Sequence, residues 1–526
     1  MRFKYLIVQF ISLSILSESA CIDTQTQPVA TIINGALIGT RNSQFHQDYF
    51  LGIPYAQPPL GSLRFKLPQP INQSWSEKKA IAYGPWCHSS SLSLPGYTQT
   101  GFDHDESEDC LTLNIVRPSG VDEGARLPVL VWIYGGGFLE GGSANQSFNY
   151  RLSGFGFLQG RVVNETGVAN IENIETFGGD PSRVTIQGES AGAVSVGHHF
   201  RAYGGRDDGL FHAGIAESGG PLTTSPLVSL DEQEVLYNNV LESTNCTGEE
   251  DTLQCLRSCP ASTLKAAFQG VNYFPVIDGG IITGLPSVLL REGRFVKRPH
   301  LIGTNTNEGT AFMVSSGRGV NNSVEFRDTI AQYSGGHGLT NRTLDVLVDQ
   351  YFNRISPEEA QAEIGTVLLS PSPEYGSLWG KVTLYAGDYQ FNAGRRYATQ
   401  LWAQYGVPAY SYRFDAVPNG IPSETLGATH FQEVAFVFKN FDGAGYDVNP
   451  LASNSTQLQH SYRNLSKLMS QMWLNFATTL SPNADQGKNN NATNIVFHLN
   501  GTYTEPDTWR SSAIGSLLDS LHEFGI

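Results

Sequence analysis

Short apolar runs alternate with amphipathic stretches along most of the chain. Residues 129–134 are continuously apolar, which is typical of a strand buried on both faces of a sheet. Residues 31–38 predict a hairpin that turns at Asn34-Gly35. Five further runs predict strands, at residues 111–116, 184–187, 213–216, 299–303 and 409–414.

Apolar residues recur at helical spacing in the second half of the chain. One stripe consists of Phe391, Ala398, Leu401, Trp402 and Tyr405, and a stronger one of Leu465, Leu468, Met469, Met472, Trp473 and Phe476. Strands that alternate with helices predict an α/β fold with a mostly parallel sheet. No second β-branched run occurs between residues 129–134 and 184–187, so we expect a sheet that lacks one central strand.

The N-terminal residues have the pattern of a secretory signal peptide. Arg2 and Lys4 supply a basic end, residues 5–16 are mostly apolar, and small residues follow up to Ala20. About twelve apolar residues are too few to span a bilayer, which argues against a membrane anchor. We therefore expect residues 1–20 to be removed and a single domain, residues 21–526, to be secreted without stable membrane insertion.

Charge and glycosylation motifs agree with export. The net charge is −16, from 33 basic and 49 acidic residues, which argues against nucleic acid as a partner. N-x-S/T acceptors are typical of secreted glycoproteins when they occur in number. Ten are present, at Asn72, Asn145, Asn164, Asn245, Asn321, Asn341, Asn454, Asn464, Asn491 and Asn500.

Six cysteines are consistent with an oxidising compartment. Cys87 and Cys110 are spaced so that a disulfide between them could close one loop. Cys246 and Cys255 could close a smaller one in the same way. The state of the remaining two, Cys21 and Cys259, stays open at this point.

The strongest chemical signal is Gly188-Glu189-Ser190-Ala191-Gly192. A short apolar run precedes this pentapeptide, and a small-residue stretch follows it. A strand, a sharp turn carrying serine and then a helix are the context of a nucleophile elbow. Ser190 is therefore predicted to be a catalytic nucleophile, held at a helix N-terminus where negative charge is favoured.

A serine nucleophile needs a histidine base, and twelve histidines are candidates. His198 and His199 lie on the elbow helix, about 12 Å downstream, and cannot fold back onto Ser190. His460 begins a predicted helix, and His498 lies in an Asn-rich region. His430 lies in a glycine-bearing loop after a strand. After a nucleophile elbow, the acid follows the serine in chain order and the histidine base comes last. His430, which lies late in the chain and on a loop, is therefore the predicted base.

The acid that orients the base is predicted to be Glu308. It lies in the polar segment 303–309, just past the strand at 299–303, at the sheet edge where open α/β sheets carry function. The competing interpretation is a solvated carboxylate in a turn, and the pattern alone does not decide between the two.

Three glycines and a phenylalanine follow the strand at residues 129–134. The backbone N–H groups of Gly136 and Gly137, with that of Ala191, would form an oxyanion hole. A dinucleotide-binding loop is the competing interpretation, but its final glycine spacing would be one residue too long. A plain tight turn is the third interpretation.

These motifs together resemble the type-B carboxylesterase/lipase family, which includes secreted fungal lipases and the cholinesterases. The resemblance runs along nearly the whole chain and is strongest to the fungal branch. Beyond Gly188–Gly192 and the loop around His430, it is carried by residues 50–59, 108–114, 134–138, 177–181 and 303–310.

The resemblance implies an α/β-hydrolase fold, an ester substrate of small-molecule or lipid type, and neither metal nor organic cofactor. Its Ser-Glu-His triad falls on Ser190, Glu308 and His430, and its oxyanion donors fall on Gly136, Gly137 and Ala191. Its two disulfides would be Cys87–Cys110 and Cys246–Cys255. Its two structural ion pairs would be Arg64–Glu108 and Arg151–Asp180.

Two stretches are shorter than the family pattern. One lies between Gly142 and Asn149, where the family carries a helix and a central strand, and the other between Gly167 and Ile174. The intact triad predicts a secreted serine carboxylic ester hydrolase, with triacylglycerol lipase as an alternative among enzymes. The missing segments favour the rival interpretation of a catalytically impaired or non-catalytic binding protein of cholinesterase-like fold, and predict poor solubility.

Overall fold

A computed structural model describes the backbone of Leu6–Ile7 and residues 27–90, 92, 94–97, 104–143, 148–159, 173–222, 230–315, 319–334, 338–483 and 492–526. Apart from Leu6–Ile7, the predicted signal peptide lies outside these residues. Cys21 and the acceptors Asn145, Asn164 and Asn491 also lie outside them.

The strands of the main sheet follow the apolar runs. In chain order, the strands of the described residues are β1 Leu6–Ile7, β2 Val29–Ile32, β3 Gly35–Ile38, β4 Thr40–Asn42, β5 Gln47–Pro54, β6 Glu77–Lys79, β7 Thr112–Pro118, β8 Leu127–Ile133, β9 Gly179–Glu189, β10 Ala213–Glu217, β11 His300–Asn305, β12 Ala409–Asp415, β13 Thr493–His498 and β14 Tyr503–Pro506. The predicted hairpin forms, since β2 and β3 pair antiparallel on either side of Asn34.

Helices occupy most of the intervening sequence. They are α1 Ser153–Phe157, α2 Ala191–Arg201, α3 Leu230–Ser243, α4 Thr252–Ser258, α5 Ala261–Phe268, α6 Pro286–Arg291, α7 Glu308–Ser315, α8 Ser323–Tyr333, α9 Asn341–Val348, α10 Pro357–Ile364, α11 Trp379–Gly387, α12 Ala393–Gln404, α13 Val434–Val437, α14 Thr456–Thr479 and α15 Ser511–Asp519. None of the described helices combines the length and apolar character needed to cross a membrane.

The main sheet has the order β1-β8-β9-β10-β11-β12-β13-β14. All neighbours pair in parallel except β13 and β14, which are antiparallel. Successive residues of β8 alternate between two hydrophobic cores, with Val129 in one and Leu130 in the other. Helices α2 and α12 cover one face and α14 covers the other, so the sheet is buried on both faces as the continuous apolar runs predict.

The expected gap is visible as a division of the sheet. Strands β4, β5 and β7 form a sheet of their own, separate from the one that contains β8. Among the described residues between β8 and β9, only the short helix α1 and one turn of 3₁₀ helix occur. The two-residue strand β1 pairs with the outer edge of β8.

Two disulfides tie the loops near the sheet. Cys87 is bonded to Cys110 and Cys246 to Cys255, the pairs that the resemblance implies. Cys259 is a free thiol.

Of the two expected ion pairs, one forms and one is replaced. Arg64 donates two hydrogen bonds to the carboxylate of Glu108, at 2.7 and 2.6 Å. The expected pair of Arg151 with Asp180 is wrong, because Asp180 is held by Arg126 at 2.8 Å. Arg126 ends the loop that leads directly into β8, which runs beside the strand that carries Asp180.

Candidate active site

Ser190 lies at the sharp turn between β9 and α2. Its backbone has φ 54° and ψ −122°, a conformation that an L-residue rarely adopts and that marks a strained turn. A Cβ added to Gly192 would lie 2.0 Å from the carbonyl oxygen of Ile133, and one added to Gly188 would lie 2.4 Å from the backbone of Gly192. The two glycines are therefore required by close backbone packing around the serine.

His430 and Glu308 come together although 122 residues separate them. Nδ1 of His430 lies 2.7 Å from Oε2 of Glu308, and both side chains are almost completely buried. With the proton on Nδ1, the imidazole donates to the carboxylate and keeps Nε2 as an acceptor. Phe391 stacks on the imidazole at 4.7 Å and Phe312 contacts it at 5.1 Å, so the two rings fix the imidazole plane.

Glu308 is the first residue of α7, directly after the end of β11. Its second oxygen, Oε1, accepts hydrogen bonds from Ser218 Oγ at 2.5 Å and from the backbone N–H of Asn305 at 2.7 Å. The helix N-terminus adds a favourable interaction with the negative charge. Three donors therefore fix the orientation of the Glu308 side chain.

The loop that carries His430 is joined to the end of β11 by polar contacts. The backbone N–H of Asn307 donates to the carbonyl of Ala428 at 2.9 Å, and the backbone N–H of Ala428 donates to the side-chain oxygen of Asn307 at 3.0 Å. Asn305 donates to the carbonyl of Thr429 at 2.7 Å. Because these contacts lie on both sides of Glu308, they set the position of the imidazole relative to the carboxylate.

Three further glutamates surround the histidine and are buried. Burial, together with the neighbouring carboxylates Glu433, Glu308 and Glu217, raises the pKa of Glu189 well above its usual range. Burial and repulsion from Glu433 raise the pKa of Glu217 to about 8, and burial and repulsion from Glu308 raise the pKa of Glu433 to about 7.

The free nitrogen of the imidazole faces the elbow. Nε2 of His430 is buried, lies 3.2 Å from Oε1 of Glu189, and makes no hydrogen bond. Glu189 directly precedes Ser190, so the unpartnered nitrogen is directed at the segment that contains the serine. A nitrogen in this state is able to accept a proton.

The glycine loop after β8 packs against the elbow. A Cβ added to Gly135 would lie 2.9 Å from Cβ of Ser190. Gly136 and Gly137 both have positive φ, 89° and 63°, which lets successive N–H groups turn toward one point. The first glycine of the loop thus lies beside the predicted nucleophile.

An apolar cluster adjoins the same point. Phe138, Ala191 and Val194 form a buried group, and Phe157 and Phe274 pack against it. Aromatic rings there provide an apolar wall beside the N–H of Ala191. An acyl chain attached to a carbonyl at this position would contact that wall.

The loop closed by Cys87 and Cys110 contacts the site through two hydrogen bonds. Gln432 donates to the carbonyl of Gly96 at 2.8 Å, and Leu92 N–H donates to the carboxylate of Glu140 at 2.7 Å. The described part of this loop therefore lies next to both the histidine loop and the glycine loop.

One group of side chains in the described residues has the spacing of a metal site, Cys246, Cys255 and Cys259. Two of its three sulfur atoms are joined in a disulfide, so they are not free to act as ligands. The group also lies on the helical segment from α3 to α5, apart from Ser190.

Sequence reasoning missed four residues that touch the predicted site. Ser218 and Glu433 bind the acid or its neighbours, and Phe312 and Phe391 flank the base. Ser218 directly follows β10 at the edge where the other site residues lie, which is a signal that could have identified it. The other three depend on packing between distant segments.

Comparisons with known proteins agree with this architecture. The model of the carboxylesterase family matches residues 25–161 and 170–505. Secreted lipase 1 of Botryotinia fuckeliana is 31% identical over 536 residues, covering 89% of this chain and 86% of that protein. Lipase 4 of Diutina rugosa is 29% identical over 593 residues, covering 96% and 98%.

The crystal structure of Aspergillus niger EstA matches with a TM-score of 0.80 at 24% identity, covering 96% of this chain and 100% of that one. This likeness shows the α/β-hydrolase fold, in agreement with the sheet order and the elbow. The family match and the similarity to lipases extend over most of the chain. The chain therefore belongs to the carboxylesterase family and is a carboxylic ester hydrolase.

Proposed function

We propose that this protein hydrolyses carboxylic esters through an acyl-enzyme intermediate on Ser190, and that it does so outside the cell. The observation that carries the proposal is the buried pair of His430 and Glu308, whose unpartnered Nε2 is directed at the serine elbow. A base with that geometry is what activates a serine hydroxyl.

In the proposed reaction, Nε2 of His430 accepts the proton of Ser190 as its oxygen attacks the ester carbonyl. The N–H groups of Gly136, Gly137 and Ala191 stabilise the oxyanion. His430 then gives its proton to the departing alcohol, which leaves the acyl group on Ser190. Water, activated by the same histidine, releases the acid, while Glu308 holds the imidazole in one orientation throughout.

Export is proposed on three grounds. Residues 1–20 have a signal-peptide pattern, the chain carries two disulfides, and a relative over most of its length is named a secreted lipase. The mature hydrolase would then begin near residue 21. No nucleic acid partner and no cofactor form part of the proposal.

A second candidate is hydrolysis of triacylglycerols at an interface, which the lipase names of the relatives favour. Only 23 positions separate Cys87 from Cys110, which is short for a large interfacial lid and favours dissolved esters. A third candidate, a non-catalytic binding protein, is favoured by the divided sheet.

The deciding experiment measures hydrolysis of p-nitrophenyl esters of increasing acyl length by the purified chain. Ser190→Ala should lose at least about 10³-fold in kcat. Ser195→Ala is the matched control, because Ser195 lies on the same helix and donates its hydroxyl proton to the carbonyl of Ala191. Absence of hydrolysis by the unmodified, folded chain would favour the binding protein.

Rates on tributyrin below and above its solubility limit separate the two enzyme candidates. A rate that follows dissolved substrate and then levels off indicates an esterase. A jump when droplets form indicates a lipase.

A further inference from the structure

The helix that carries Phe391 contains one π-helical turn. Helix α11 ends at Gly387, the turn spans Asp388–Asn392, and α12 begins at Ala393, with helical backbone angles at both junctions. The N–H of Ala393 donates to the carbonyl of Asp388, which lies five residues earlier rather than four. Such a turn inserts one extra residue into an α-helix, is rare, and occurs frequently at functional sites. The turn therefore calls for contacts that hold it and for a purpose.

A buried carboxylate clamps this turn from its first residue. Asp388 is fully buried and accepts hydrogen bonds from Asn392 Nδ2 at 3.0 Å and from the hydroxyl of Tyr351 at 2.9 Å. Arg510 donates two more, from Nη2 at 2.7 Å and from Nε at 2.8 Å. Asn392 is the last residue of the turn, so its bond to Asp388 spans the turn from end to end. Four hydrogen bonds thus fix the turn through one side chain.

The start of the clamped turn packs against the acid. A Cβ added to Gly387 would lie 3.4 Å from Cβ of Glu308 and 3.1 Å from the backbone nitrogen of Gly309. A Cβ added to Gly309 would lie 2.1 Å from the carbonyl oxygen of Thr383. Glycines at both positions let the backbones of α11 and α7 approach closely. The turn therefore limits where Glu308, the first residue of α7, can lie.

The end of the same turn carries the ring that faces the base. Phe391 directly precedes Asn392, and its ring stacks on the imidazole of His430 with the two planes 20° apart. Phe312 on α7 packs against both rings, with centroids 5.6 Å from that of Phe391 and 5.1 Å from that of His430. One clamped turn thus touches the acid at its start and the base at its end.

We infer that Asp388 and Asn392 are positioning residues, which hold the π-helical turn so that it aligns His430 with Glu308. The inference rests on the proposed function, because it assigns the turn a task in ester hydrolysis. A misplacement of about 1 Å in a catalytic group can lower a rate about 10²-fold. The two residues lie outside the serine elbow and the glycine loop, so a loosened turn lowers kcat with little change in KM.

The first test compares two buried aspartates that each bind arginine. Asp388→Asn removes the charge at the clamp. Asp507→Asn is the matched control, because Asp507 is also buried and binds Arg395 and Arg396 of α12, which lie beyond the turn. With p-nitrophenyl butyrate, Asp388→Asn should lower kcat at least about tenfold with KM within about twofold, and Asp507→Asn should keep kcat within about threefold. Equal kcat in the two folded variants would overturn the inference.

The second test changes the ring and remains decisive if the aspartate variants do not fold. Phe391→Leu should lower kcat about three- to tenfold, the range expected for one lost aromatic contact, and Phe391→Tyr, which keeps the ring, should stay within about twofold. Phe476→Leu is the matched control, because Phe476 is buried on α14 and its ring packs on Tyr410 at the other face of the sheet. The same kcat in Phe391→Leu and Phe476→Leu would overturn the inference.

The third test needs no hydrolysis and so separates the inference from the proposed function. Amide hydrogen exchange of residues 305–310 and 426–433 is compared between Asp388→Asn and Asp507→Asn. Both segments should exchange at least about tenfold faster in Asp388→Asn. Equal protection in the two variants would overturn the inference even if Ser190 hydrolyses esters. Absence of hydrolysis by the unmodified chain would contradict the proposed function instead, and the exchange rates would still decide whether the turn holds the two segments.

Discussion

Replacing Glu308 by glutamine tests the arrangement of the base most sharply. The carboxylate meets three donors, namely Ser218 Oγ and Asn305 N–H on Oε1 and His430 Nδ1 on Oε2. Glutamine has one acceptor oxygen, which the two donors on the Oε1 side will retain. Its NH₂ group must then face Nδ1.

An NH₂ group opposite Nδ1 reverses the tautomer. Nδ1 becomes the acceptor, the proton moves to Nε2, and the histidine can no longer take the proton of Ser190. The analogous change of the triad aspartate to asparagine in another serine hydrolase lowers kcat about 10⁴-fold, which corresponds to about 5 kcal/mol of activation free energy. Because the shapes of the two side chains are the same, we expect the fold to be retained.

The assay is kcat for p-nitrophenyl butyrate, with the melting curve of each variant as a check on folding. Glu424→Gln is the matched control, because it makes the same chemical change at an exposed position near the histidine loop. If folded Glu308→Gln keeps a kcat within tenfold of the unmodified chain, the assignment of Glu308 as the orienting acid is refuted.

Two further predictions concern stability. Asp507→Asn should cost about 3 kcal/mol in urea unfolding, because it leaves the buried guanidinium groups of Arg395 and Arg396 without their counter-charge. Burial raises the pKa of Asp507, but the two arginines outweigh burial and hold that pKa below its usual range. The stability that the ion pairs contribute is therefore present at neutral pH and is lost as the pH falls below the ordinary aspartate value. An unchanged urea midpoint in Asp507→Asn would contradict this prediction. Gly192→Ala should lower the melting temperature or the soluble yield, because its Cβ would lie 2.0 Å from the last carbonyl of β8. The control Gly515→Ala should be neutral, because open space surrounds that position. Equal behaviour of the two variants would contradict the packing argument.

The strands of the main sheet could be predicted because they are buried on both faces. A strand in that position has no polar face, so its sequence is a continuous apolar run such as 129–134, whereas the helices carry amphipathic stripes. The N-terminal part of β9 could not be predicted in this way. Its residues at 180–183 are mostly polar, and they lie in the irregularity of the register between the pairs Leu127–Gly179 and Val129–Val184.

The candidate site was predictable where its residues are local and not where they are distant. The elbow needs only five consecutive residues, and the glycine loop follows directly from its strand. The contact between Glu308 and His430 depends on the whole sheet. The sequence supplied these two residues as candidates through their chain order and their loops after strands, and the family resemblance assigned the triad to them. Phe312 and Glu433 contribute by contact alone, and no sequence pattern marks them as site residues.

The sequence indicated a missing strand because no second β-branched run occurs between residues 129–134 and 184–187. What the sequence could not indicate is that β1 lies against β8, because an apolar N-terminal stretch is typical of a signal peptide. Only the pairing of Leu6 with Val129 in the structure connects the missing strand with the apolar N-terminal stretch.

The central claim is that Ser190 forms the acyl-enzyme. The most direct measurement mixes the purified chain with p-nitrophenyl butyrate, quenches the reaction in acid during turnover, and maps the peptides by mass spectrometry. We predict one butyryl group on the peptide that contains Ser190, and none in the Ser190→Ala variant. A butyryl group on another residue such as Ser195 or Ser218, or turnover with no acylated peptide, would contradict the account.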